Sequence, residues 1–70
     1  MELYTFLILA CEDSYEINIF LCDSGEEIYH QKEVREIIDS LEESGRMDLL
    51  YSEIQSWDID YTNKQFCINI

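Results

Sequence analysis

The sequence predicts an α+β fold, a small four-stranded antiparallel sheet with one main helix in the order β-β-α-(short α)-β-β. Three observations lead there. Apolar and polar residues alternate with period two near both ends of the chain. The middle carries an apolar stripe at helical spacing, Val34, Ile37, Ile38 and Leu41. The composition, 47% hydrophobic and 13% aromatic with two glycines and no proline, can fill a core, whereas disordered acidic tails have few aromatic or branched aliphatic residues. Seventy residues suffice for one domain near the lower end of what folds unaided, so residues 1–70 are read as a single acidic α+β unit.

Met1 to Cys11 is rich in Leu, Ile, Phe, Tyr and Thr, which suits a strand covered on both faces. Glu12-Asp13-Ser14 is a polar break. Tyr15, Ile17, Ile19 and Leu21 then alternate with Glu16, Asn18, Phe20 and Cys22, so the two segments read as an antiparallel hairpin. Ser24 and Glu27 have capping-box spacing, and Gly45 after Ser44 is a natural helix stop, which places the main helix at roughly residues 26–44. Met47, Leu50, Tyr51 and Ile54 continue helical spacing over a short span, in competition with a strand beginning near Ser52. Trp57, Ile59 and Tyr61, then Phe66, Ile68 and Ile70, return to period two around a turn at Thr62-Asn63-Lys64-Gln65. They form a second hairpin whose end is tied into the sheet.

The charge is extreme. Sixteen Asp and Glu oppose four basic residues, Lys32, Arg35, Arg46 and Lys64, for a formal net charge of -12. Solubility alone needs a magnitude of only about 2–8 in a small domain. Bare nucleic acid and anionic membranes are disfavoured as direct partners, because both demand clustered Lys and Arg. The apolar run from Leu3 to Cys11 is too short to span a bilayer, and residue 2 is Glu where a signal peptide would carry basic charge, so the expected location is the cytoplasm, or the host cytoplasm for a phage-encoded chain. Cys11, Cys22 and Cys67 are odd in number and lack C-x-x-C spacing, which points to reduced, mostly buried thiols.

Catalytic constellations are thin, and the chain is read as a non-enzyme. His30, near the start of the expected helix, has no evident Ser or Cys partner. Asp58-x-Asp60 opens like a calcium loop, but Asn63 and Asn69 stand where such a loop needs Gly and Glu, so no metal and no cofactor are expected. A chain of this length also leaves little room for a ligand pocket of about 300 Å³.

The charge does have geometry. Glu33, Glu36, Asp39, Glu42 and Glu43 lie off the apolar helix stripe, and Asp58 and Asp60 share one strand face at about 6.6 Å, two strand rises. Carboxylates fixed at such spacings imitate a row of phosphates and suit the basic site of a nuclease or other nucleic-acid-binding protein. Tyr4, Phe6 and Phe20 fall on strand faces opposite the assigned core, while Tyr29, Tyr51 and Trp57 are expected to be partly covered. Tyr4 and Phe20 therefore mark a second sheet face for a homodimer or another protein.

In size and charge the chain resembles the acidic anti-restriction and anti-CRISPR proteins of phages and mobile elements. That resemblance implies an inhibitor acting by nucleic-acid mimicry. An antitoxin or immunity-type protein neutralising a basic toxin, and a self-associating accessory subunit, are the alternatives.

Overall fold

A computed structural model describes residues 1–11 and 14–70. The order is α1 (Leu3–Leu9), β1 (Glu16–Phe20), β2 (Glu27–Lys32), α2 (Val34–Glu43), α3 (Met47–Leu50), β3 (Ser56–Asp60) and β4 (Gln65–Asn69). The strands form one sheet in the order β2-β1-β4-β3. The α+β class holds, with two differences from expectation. The chain enters through a helix, and the sheet is mixed: β1–β2 and β3–β4 are antiparallel, but β1 and β4 run parallel at its centre.

The first difference lies in Met1–Cys11. Leu3, Phe6 and Leu7 are spaced i, i+3, i+4, and as α1 they drive into the core at 0–4% exposure. Tyr4, Ile8 and Leu9 are apolar too but exposed, so the run fits a strand pattern as well as a helical one. Helix formation lays α1 over the sheet beside α2 and α3.

Residues 27–32 differ as well: expected as the start of the main helix, they are found as β2. Ser24 Oγ accepts the Glu26 amide at 3.2 Å, an ST-turn geometry rather than a helix cap, and Gly25 takes a positive φ of 73° that lets the chain reverse onto β1. β2 is irregular. Ile17 aligns with Lys32 and Ile19 with Tyr29, so His30 and Gln31 together oppose Asn18 in a bulge, with Gln31 at a φ of 52°. A second register shift follows between Ile19 and Phe20. The two shifts erase the period-two signature that would have marked this strand in the sequence.

From Val34 onward expectation and structure converge. Ile37, Ile38 and Leu41 of α2 are buried, and its end is a Schellman motif: the Arg46 amide donates to the Leu41 carbonyl at 2.9 Å and the Gly45 amide to Glu42 at 3.2 Å. Gly45 supplies the left-handed residue this motif requires, with φ 73°. The Met47–Ile54 segment resolves into the single turn α3, followed by an isolated bridge between Glu53 and Glu2. The β3–β4 hairpin stands as expected. The C-terminal residue is tied in, since the Ile70 amide donates to Phe20 and the Ile70 carbonyl accepts from Cys22.

All three helices sit on one face of the sheet. Ile17 and Ile19 of β1 and Phe66 and Ile68 of β4 point into that layer and meet Leu3, Leu7, Ile37 and Leu50. Phe66 lies at the centre of an aromatic cluster, with ring centroids 5.9 Å from Phe6, 5.4 Å from Tyr15 and 6.2 Å from Trp57. Among the described residues, the opposite sheet face carries no helix.

Candidate functional site

The acidic residues singled out on the expected helix and third strand fall on two surfaces. On α2, Glu36, Asp39 and Glu43 are exposed and spaced i, i+3, i+7, which makes one column on the side away from the sheet. Helical rise separates the first two by about 4.5 Å along the axis and the last two by about 6 Å. The apolar stripe packed on the sheet holds this column rigidly. Arg35 approaches Asp39 at 3.9 Å, a long contact on an exposed helix that neutralises little. Glu33 stands at the N-cap with no side-chain cap bond, its charge beside the positive end of the helix. Glu42 leans to the flank, where it lines a cleft of about 310 Å³ between α1 and α2 together with Tyr4, Ile8, Val34 and Arg35.

The second surface is the open sheet face. Strand register aligns three rows across it: Asp60, Gln65 and Glu16; Asp58, Cys67 and Asn18; Ser56, Asn69 and Phe20. Asp58 and Asp60 do share a face, as expected, but their carboxylates are engaged differently. Asp60 organises the β3–β4 turn. Its Oδ1 accepts the Thr62 and Asn63 amides at 3.0 and 3.1 Å, and its Oδ2 accepts the Asn63 side chain at 2.7 Å. The Asn63 side-chain bond, then the Asn63 amide, hold this carboxyl below the usual range, with the Thr62 amide adding to the effect. Asp58 Oδ1 accepts the amide of Ile59 at 2.9 Å.

The aromatic second sheet face does not exist. Tyr4 is on α1, 37% exposed, beside α2, and Phe6 is in the core at 4%. Phe20 alone is on the open face, half-buried among polar residues. The homodimer surface expected from Tyr4 and Phe20 is thus divided between two sides of the molecule, because α1 is a helix and not a sheet strand. For the same reason the α2 column and the Asp58/Asp60 pair face away from each other: α2 packs on the covered side of the sheet.

The polar character of the open face has a structural cause. Asn18 is 4% exposed, and its Oδ1 accepts the Gln31 amide at 2.9 Å, the donor that the β2 bulge takes out of the ladder. Its Nδ2 donates to Gln65 Oε1 at 3.3 Å and to the Phe66 carbonyl at 3.4 Å. Asn69 Nδ2 donates to Ser56 Oγ at 3.0 Å along the neighbouring row. Amide side chains thereby link all four strands.

His30 is an exposed β2 residue, not a helical one, and its Nδ1 lies 3.1 Å from Glu27 Oε2. Cys11 is buried, which pushes its thiol up to about 12 and keeps it protonated. Cys67 is half-buried, but Cys22 is exposed, against the expectation of mostly buried thiols. Among the described residues, no three His, Cys, Asp or Glu side chains are grouped to hold a metal ion. No helix among them is long and apolar enough to cross a membrane. Glu12 and Asp13 of the expected polar break lie outside the described residues.

Sequence reasoning missed the apolar surface around Trp57. Clefts of about 510 and 240 Å³ flank this residue, the first larger than chain length alone suggested. Trp57 packs against Phe6 in a tilted arrangement, with ring centroids 5.3 Å apart and planes at 55°, and remains 52% exposed. The surface depends on α1 lying against β3, so no local signal announces it. Comparison with family models, curated proteins and solved structures finds no match to this chain.

Proposed function

We propose that this protein is a small acidic inhibitor that occupies the basic site of a nucleic-acid-processing protein, such as a nuclease. The observation that carries the reading is the α2 column of Glu36, Asp39 and Glu43, exposed on a helix whose other side is anchored in the core. A net charge of -12 concentrates on a folded frame, so the pattern is fixed and costs little ordering entropy on binding. The same field accelerates encounter with a basic groove and makes association sensitive to salt.

The immobilised protein should capture basic proteins from nuclease-treated cell lysate, and duplex DNA added as competitor should release them. Replacing Glu36→Gln, Asp39→Asn and Glu43→Gln together should weaken capture about tenfold while leaving the fold intact, since each exposed ion pair contributes up to about 1 kcal/mol. Capture that survives both excess DNA and high salt would rule out mimicry. Unchanged capture by the triple variant would exclude α2 as the contact face.

A further inference from the structure

β3 is an edge strand. β4 pairs with one side of it, and among the described residues no segment pairs with the other. Its two faces differ in chemistry. Trp57 and Ile59 point to the helix side, where the clefts lie on either side of Trp57, and Tyr61 beyond them is 73% exposed. Ser56, Asp58 and Asp60 point to the open face. The Ile59 amide donates to the carboxylate of the residue before it, Asp58.

An unpaired strand edge next to an apolar cleft is a template for an extended chain. Charge selects the occupant. A second copy of this protein paired antiparallel along β3 would bring Asp58 and Asp60 onto the same face as their own counterparts, and like charges across a strand pair are destabilising. Each copy also carries a net charge of -12. The β3–β4 hairpin offers one basic residue, Lys64, in its turn. The occupant that satisfies both faces alternates apolar with cationic residues.

We propose that the β3 edge accepts an extended segment of a partner protein in which apolar residues alternate with Lys or Arg. Its apolar side chains enter the clefts flanking Trp57, and its cations lie beside Asp58 and Asp60. Side chains on one face of a strand recur about every 6.8 Å, the same interval that separates Trp57 from Ile59 and Asp58 from Asp60. A carbonyl of the incoming strand takes over the Ile59 amide, which frees the Asp58 carboxylate to pair with a cation. The site is separate from the α2 column and does not depend on it.

Trp57 is the sole tryptophan, so its emission reports directly on this surface. The probe is a synthetic peptide of about seven residues alternating lysine and valine, long enough to span β3. Titration should change Trp57 emission saturably at one peptide per chain, and hydrogen exchange at the Ile59 amide should slow. A peptide of the same composition with its lysines and valines in separate blocks should bind at least about tenfold more weakly, and one alternating glutamate and valine should not bind at all. Asp58→Asn keeps the acceptor for Ile59 but removes the charge, and should weaken binding several-fold. Equal binding of the block peptide would reduce the effect to net charge and overturn the proposal. An emission change without slowed exchange at Ile59 would overturn the strand-addition geometry. The α2 triple variant should bind the alternating peptide as the parent does, so this site and the mimicry reading fail independently.

Discussion

Phe66→Ala is expected to lower stability by about 3–5 kcal/mol, the cost of emptying a large aromatic site in a core that cannot fully collapse. Phe66 is 4% exposed and is the ring shared by Phe6 on α1, Tyr15 before β1 and Trp57 on β3. Its loss removes one of the two aromatic contacts, beside Phe6–Trp57, that hold the first helix to the last hairpin. Domains of this length have total stabilities of about 4–10 kcal/mol, and the self-repulsion of twelve net negative charges places this one toward the low end. The variant should therefore be largely unfolded at room temperature in low salt, or melt about 15–25 °C below the parent once salt screens the repulsion. Urea denaturation followed by far-UV circular dichroism decides the matter. A loss below about 1 kcal/mol would mean that the cluster is not part of the cooperative core.

Asn18→Ala should cost about 2 kcal/mol for a different reason. No apolar core is lost, since Asn18 is on the open face. The residue is buried because β2, β1 and β4 close over it, and it supplies the acceptor for the Gln31 amide at the bulge. Gln31 is in the left-handed region, where a non-glycine residue carries a conformational penalty that the Asn18 bond offsets. Without that bond, β2 should loosen before the rest of the sheet. Native-state hydrogen exchange should show amides in residues 27–32 opening at lower free energy, with β4 less affected. Gln31→Gly in the same background should recover part of the loss by relieving the backbone. Uniform acceleration across all four strands would contradict a local role for Asn18.

These two residues also show where the sequence is readable. The α2 stripe and the β3–β4 hairpin stand out because each carries its apolar residues at a single, unbroken period. The α2 carboxylates are legible for the same reason, as whatever lies off the stripe must face outward. Residues 3–9 were opaque because Tyr4, Ile8 and Leu9 are apolar without being buried, so helical and strand templates fit equally well. β2 was hidden by its two register shifts, which bring the neighbouring residues Ile28 and Tyr29 both into partial burial. Strand order cannot be read from local period at all. It decides that Asp58, Asp60, Glu16 and Phe20 share the open face, and that Trp57 meets α1.

The parallel pairing of β1 with β4 has a kinetic consequence. Each outer pair, β1–β2 and β3–β4, joins neighbours in the chain, but the central pair joins Glu16–Phe20 to Gln65–Asn69 across α2 and α3. Closing that long loop costs configurational entropy before any central hydrogen bond repays it. High contact order of this kind slows the search for the native topology compared with a helical bundle of equal length. The two hairpins should gain protection early in pulse-labelled refolding, and the β1–β4 amides last, so the centre of the finished sheet is the final seam to close.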